Sequence, residues 1–75
     1  METIIFELSG EYIELNNLLK VVGVADSGGA GKALVAAGEV SVDGTLESRK
    51  TAKIRVGQVV TLAGVRIEVV EGAAE

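Results

Sequence analysis

The fold is decided by residues 15–44, LNNLLKVVGVADSGGAGKALVAAGEVSVDG, in which the apolar residues change from a helical to an extended spacing. Two segments repeat apolar residues at i, i+3, i+4 and i+7, the spacing of one helix face. The first has Leu15, Leu18, Leu19 and Val22, and the second has Ala30, Ala33, Leu34 and Ala37. Gly23 is predicted to end the first helix. Asp26 or Ser27 is predicted to cap the second, which ends at Gly38.

After Gly38 the apolar spacing changes to two, the period of a half-buried strand. Val40-Ser41-Val42 and Thr45-Leu46-Glu47 flank Asp43-Gly44, a favoured two-residue hairpin turn. Further strands are predicted at 3–8, 54–56, 59–62 and 65–69, with turns at Gly57-Gln58 and Ala63-Gly64. We therefore predict an α+β fold, with two short helices packed on a small antiparallel sheet of about four to five strands. Residues 1–75 are expected to form a single domain, with a frayed tail at 71–75.

Composition limits both the kind of core and the kind of chemistry. The chain has 75 residues, of which 48% are hydrophobic and 24% charged, as in one small globular domain. It has no histidine and no cysteine, so the commonest general base and the thiolate metal ligands are missing. We predict a protein that is not an enzyme and has no metal, cofactor or small-molecule substrate. The chain lacks both an apolar run of about 20 residues and a basic secretory start, which predicts a cytoplasmic location without membrane contact.

The net charge of −4 hides a basic segment. Residues 1–14 carry a charge of −4 and residues 67–75 a charge of −3, whereas residues 15–66 carry +3. Four basic residues lie within seven positions: Arg49, Lys50, Lys53 and Arg55. If Ile54 and Val56 face the core, Lys53 and Arg55 point outward. Such a cluster is typical either of a phosphate-binding surface or of an edge strand protected by charge.

A glycine-rich segment with a lysine, Gly28–Lys32, opens the second helix. It is not a nucleotide phosphate loop, because Asp26 stands where that motif needs glycine and Ala33 where it needs Ser or Thr. The start of a helix still presents N–H groups that suit an anion, although the glycines are equally well explained by a turn. Helical geometry directs Lys32 away from the core, where it is able to extend the basic cluster.

The order of these features resembles the RNA-binding domain named after ribosomal small-subunit protein S-four, also called the αL motif. The matching residues are Leu15, Leu18, Leu19 and Gly23, then Ser27 and Gly38, then Val40, Val42, Asp43 and Gly44, and finally Gly57, Gln58, Val59 and Val60. They span about two-thirds of the chain, and the family-like core is expected to cover residues 12–70. Ser27-Gly28 with Lys32, and Glu47-Ser48-Arg49-Lys50 after the hairpin, are most similar to the small free-standing bacterial members of the family.

The resemblance implies binding to structured RNA, ribosomal or other, alone or with ribonucleoprotein components. It implies one basic surface made by the second helix and the loop after the hairpin, with candidate RNA-binding residues Ser27, Gly28, Gly29, Lys32, Arg49, Lys50, Lys53 and Arg55. Gly28 and Glu14 replace arginines common in the family, which predicts modest affinity. With no aromatic residue expected on this surface, recognition should rest on shape and phosphates. The alternatives are a protein-interaction module that docks a partner through a sheet edge and, less favoured, an anion-binding domain.

Overall fold

A computed structural model describes residues 1–72 of the chain. The elements in chain order are β1 (Glu2–Leu8), β2 (Ile13–Glu14), α1 (Leu15–Val21), α2 (Gly28–Ala36), β3 (Ser41–Val42), β4 (Thr45–Leu46), β5 (Lys53–Ile54), β6 (Val59–Leu62) and β7 (Val65–Glu71). The predicted α+β class, with two short helices on a small sheet, is confirmed. No helix in this part of the chain is long and apolar enough to cross a membrane.

The two helices pack against each other through one face of each. Leu15, Leu18 and Leu19 of α1 are completely buried, as their spacing predicts. In α2 the buried residues are Gly31 and Val35, so the predicted stripe through Ala33 and Ala37 is wrong. The physical reason is steric: the α1 backbone at Asn16 lies so close to Gly31 that the position has no room for a Cβ, and this contact turns the Gly31 face of α2 inward.

The main sheet has the strand order β1-β7-β6-β3-β4, and β2 and β5 form a separate pair. The prediction that the sheet is antiparallel is wrong at one edge, because β1 pairs parallel with β7 from Glu2↔Val65 to Leu8↔Glu71. A parallel pair needs a long crossover connection, and here the whole domain between the two chain ends supplies it. The tight hairpin at Asp43-Gly44 is confirmed, with φ of 52° and 83° at its central residues.

Two other expectations concern the ends of strands. The strand predicted at 54–56 is shorter and begins earlier, because β5 covers Lys53–Ile54; of the two residues considered as core-facing, Ile54 is buried and Val56 is exposed. The chain turns there because the Gln58 side chain accepts a hydrogen bond from the Arg55 backbone N–H at 2.7 Å. Within the expected frayed tail, β7 runs to Glu71 and the Gly72 N–H donates to the Leu8 carbonyl at 2.9 Å. The rest of that tail, residues 73–75, lies outside the described residues.

Candidate nucleic-acid interface

The start of α2 is built by Ser27. Its hydroxyl oxygen accepts a hydrogen bond from the Ala30 N–H at 3.1 Å, and its carbonyl oxygen accepts one from the Gly31 N–H at 3.0 Å. Of the two residues predicted as caps, Ser27 is therefore the one that holds the position. Gly28 and Gly29 are the first two residues of the helix, where N–H groups point out of the helix end. Lys32, one turn later, is exposed as predicted.

Asn16 connects the two helices to the loop that follows the β3–β4 hairpin. Its backbone N–H donates to the Lys50 carbonyl at 3.2 Å, and the neighbouring Leu15 N–H donates to the Ala52 carbonyl at 2.8 Å. On its other side, a Cβ added to Gly31 would lie 2.6 Å from the Asn16 carbonyl oxygen. The backbone at Lys50 and the backbone next to Lys32 thus pack around the same buried residue.

The side chain of Arg49 is held by Glu47. Its Nε and Nη2 donate to the two carboxylate oxygens of Glu47 at 3.0 and 3.1 Å, and the Arg49 backbone N–H donates to Oε2 at 2.8 Å. The hydrogen bonds from the Arg49 side chain have the largest effect, followed by the one from its backbone N–H, and they lower the pKa of the Glu47 carboxyl below its ordinary value. The same side-chain hydrogen bonds raise the pKa of the Arg49 guanidinium. Arg49 therefore stays fixed in direction, but part of its charge is neutralised.

Lys53 links the hairpin loop to a second cluster around Tyr12. Arg49 and Lys53 line a shallow depression of about 390 Å³ together with Thr51 and Ala52. The Lys53 Nζ also lies 5.0 Å from the centre of the Tyr12 ring, and the Arg55 Cζ lies 5.8 Å from it. The candidate cations after the hairpin therefore form a continuous series from Arg49 through Lys53 to Arg55. With Lys32 and Lys50 they are called the basic surface below.

The expectation that this surface has no aromatic residue is wrong. Tyr12 is 41% exposed, and its ring lies under the cations of Lys53 and Arg55. It was missed because β2 and β5 are two-residue strands whose pairing, Ile13↔Ile54, joins residues far apart in the sequence. A signal was available: Tyr12-Ile13-Glu14 and Lys53-Ile54-Arg55 each place one apolar residue between two polar or amphipathic ones. Matching the two isoleucines puts the outer residues on one face.

Comparison with known proteins adds independent information to this geometry. The family model of the S4 domain matches residues 6–70. YbcJ of Escherichia coli (strain K12) is 46% identical over 59 residues, which cover 79% of this chain and 84% of that protein, and YbcJ of Shigella flexneri matches to the same extent. The solution structure of YbcJ from E. coli is described as revealing an αL motif involved in RNA-binding. It is similar at a TM-score of 0.66 and 41% identity, covering 93% of this chain and 87% of that chain. The chain therefore belongs to the S4-domain family.

Proposed function

We propose that the chain is a non-catalytic RNA-binding protein that recognises structured RNA, ribosomal or other, through the basic surface. The observation that carries the proposal is the continuity of exposed cations from Arg49 to Arg55, next to an α2 start that is tied to the same loop through Asn16. Membership of the S4-domain family and the RNA-binding αL motif described for YbcJ support it.

The contacts proposed are chiefly with phosphates. Lysine and arginine side chains neutralise phosphate charge and release counterions, which gives affinity without sequence discrimination. The N–H groups at Gly28 and Gly29 allow an RNA backbone to approach the positive end of α2. Four phosphate contacts, from Lys32, Arg49, Lys50 and Lys53, give an expected log–log salt slope of roughly −3.

A second candidate function is protein docking at the free edge of the main sheet. β1 is a seven-residue edge strand with Ile5 56% exposed, and edge strands pair readily with another chain. Binding of this kind depends on backbone pairing and apolar contacts, so it is insensitive to salt and to charge reversal in the basic surface. A salt series with RNA and with protein partners separates the two functions.

Reversing the charge of Lys50 should weaken RNA binding without unfolding the domain. Lys50 is exposed, and the hydrogen bond that it accepts from Asn16 is made by its backbone carbonyl, so Lys50→Glu leaves that hydrogen bond in place. Loss of one phosphate contact and the added repulsion should weaken binding by roughly tenfold. The measurement is a fluorescence-anisotropy titration of a structured bacterial RNA at several salt concentrations, with a thermal melt of each variant.

The matched control is Arg66→Glu. Arg66 is exposed on β7 and, like Arg49, pairs with a glutamate two positions away, Glu68, at 2.9 Å. Its neighbour Ile67 faces the core, so Arg66 lies on the opposite face of the main sheet. RNA affinity should change little in this variant. Equal effects of Lys50→Glu and Arg66→Glu would mean that overall charge, and not the basic surface, determines binding.

Removing the carboxylate that holds Arg49 should tighten RNA binding. Glu47→Gln leaves an acceptor for the Arg49 backbone N–H but releases the guanidinium charge toward phosphate. We expect a gain of up to about fivefold and a somewhat steeper salt slope, because the Arg49 phosphate contact is then made by a guanidinium whose charge is no longer partly neutralised. The same titration measures it, with Glu68→Gln as the equivalent change at the Arg66 pair. A weaker affinity in Glu47→Gln would show instead that the fixed direction of Arg49 matters more than its free charge.

A further inference from the structure

We propose that Tyr12, with Lys53 and Arg55, forms a stacking site for one unpaired nucleobase of the bound RNA. The inference rests on the proposed function and specifies its ligand as a duplex that carries a bulged or looped-out nucleotide. It goes beyond phosphate recognition, since it gives the protein a way to prefer one RNA shape over another.

The geometry of the β2–β5 pair creates the site. The register Ile13↔Ile54 directs both isoleucines toward the core, and Ile54 is 1% exposed. Tyr12 directly precedes β2 and Arg55 directly follows β5, so the alternation continued from the two strands directs both of them, with Lys53, to the outer face. The Lys53 side chain reaches the ring from β5 and the Arg55 side chain from the residue after it, and within residues 1–72 no strand pairs with the other side of β2. β2 is thus an edge strand among the described residues, and no further strand covers the Tyr12 ring beside it.

The exposure of Tyr12 separates a ligand site from a purely structural contact. Phe6, the other aromatic residue of the chain, packs half-buried against the core, whereas 41% of Tyr12 remains accessible. The Lys53 Nζ and the Arg55 Cζ lie over the ring, 5.0 and 5.8 Å from its centre, in cation–π contacts, and the exposed fraction of Tyr12 is what remains with both cations in place. An exposed aromatic face beside cations is the arrangement by which proteins stack an unpaired base while binding its phosphate.

The charged residues around Tyr12 determine how a bound nucleotide is oriented. Glu14 lies opposite Lys53 in the register, on the same outer face as Tyr12. Its carboxylate repels a phosphate near β2, so the phosphate belongs on the β5 side with Lys53 and Arg55 and the base on the Tyr12 side. Lys53 also lines the depression next to Arg49. A nucleotide that leaves a duplex held on the basic surface therefore reaches Tyr12 directly.

The test compares two RNA hairpins with the same stem, one fully paired and one with a single bulged adenosine. Wild type should bind the bulged hairpin roughly fivefold or more tightly, the effect of one base stacked on an aromatic ring. Tyr12→Phe should keep that preference, and Tyr12→Leu should lose it while binding the paired hairpin with unchanged affinity and salt slope. Tyr12 is the only tyrosine of the chain, so isotope labelling of tyrosine isolates its ring proton resonances in the NMR spectrum. Stacking of a base on the ring should shift these resonances upfield when the bulged hairpin binds.

Three results would overturn the inference. Equal, salt-dependent affinity of wild type for the two hairpins would exclude a stacking site but leave the proposed function intact. An equal loss of affinity for both hairpins in a folded Tyr12→Leu variant would make Tyr12 a support for Lys53 and Arg55 only. The absence of salt-dependent binding to either hairpin would overturn the proposed function and the stacking site together. The NMR shift is measured on wild type, so the test does not depend on the stability of any variant.

Discussion

Replacing Arg49, Lys50 and Lys53 together by glutamate should abolish binding to structured RNA while the domain stays folded. Each phosphate contact contributes about fivefold in affinity at about 0.1 M salt through counterion release. Losing three of them weakens binding by on the order of 100-fold, and the three new carboxylates add repulsion at the same places. The measurement is an anisotropy titration at constant salt, with the wild type titrated in parallel.

Two features of the structure predict that this triple variant folds. All three side chains are exposed, and within residues 1–72 the ion pair that is lost, Arg49 with Glu47, is a surface pair of a kind that contributes little to stability. Lys53→Glu does place a carboxylate opposite Glu14 in the β2–β5 pair. A companion variant with Lys53→Gln avoids that repulsion, and a thermal melt of each verifies folding.

The effect of net charge on RNA affinity is distinguished from the loss of direct phosphate contacts by measuring at physiological salt and by a control variant. The triple reversal makes the net charge more negative than its starting value of −4 by six units. At physiological salt the Debye length is about 8 Å, so charges far from the RNA are screened. Arg66→Glu, on the other face of the sheet, should then bind like wild type. RNA binding by a folded triple variant at wild-type affinity would rule out the basic surface as the site of RNA binding.

The parts of the fold that depend on local chemistry were predictable from the sequence. Ser27, Gly38 and the Asp43-Gly44 turn each act on residues within one helical turn or one hairpin, so their types alone indicate where elements begin and end. The α1 leucines follow the same logic, because their spacing places them on one face. The two helices and the β3–β4 hairpin therefore follow from short stretches of sequence.

The parts that depend on distant pairing were not predictable in the same way. The parallel β1–β7 pair joins strands from the two ends of the chain, and no local sequence feature indicates whether these strands pair parallel or antiparallel. The position of Tyr12 also depends on distant pairing. It lies beside Lys53 and Arg55 because two short strands, separated by some 40 positions in the sequence, pair with each other. For the candidate site, the sequence identified the charged residues but not the aromatic side chain among them. That side chain is the one on which the proposed stacking site depends.

Gly31→Ala should destabilise the domain strongly, although alanine favours helices over glycine. The added Cβ would lie 2.6 Å from the Asn16 carbonyl oxygen, closer than real Cβ contacts, and the atom it meets is backbone. The helices must separate to admit it, which costs about 1–3 kcal/mol of unfolding free energy, as in other overpacked cores. For a domain of this size that loss lowers the melting temperature by about 5–20 °C, measured by circular dichroism.

Gly29→Ala is the matched control for that variant, because it makes the same change two residues earlier in the same helix. Gly29 is exposed, and the nearest atom to an added Cβ is the Ser27 hydroxyl oxygen at an ordinary 3.8 Å. Without a steric cost, alanine should stabilise the helix by about 0.5–1 kcal/mol. The two substitutions should thus have opposite signs, which intrinsic helix propensity alone cannot produce. Stabilisation by both would mean that α1 and α2 are not in close contact at Asn16, and the adjacency of α2 and the Lys50 loop would lose its structural basis.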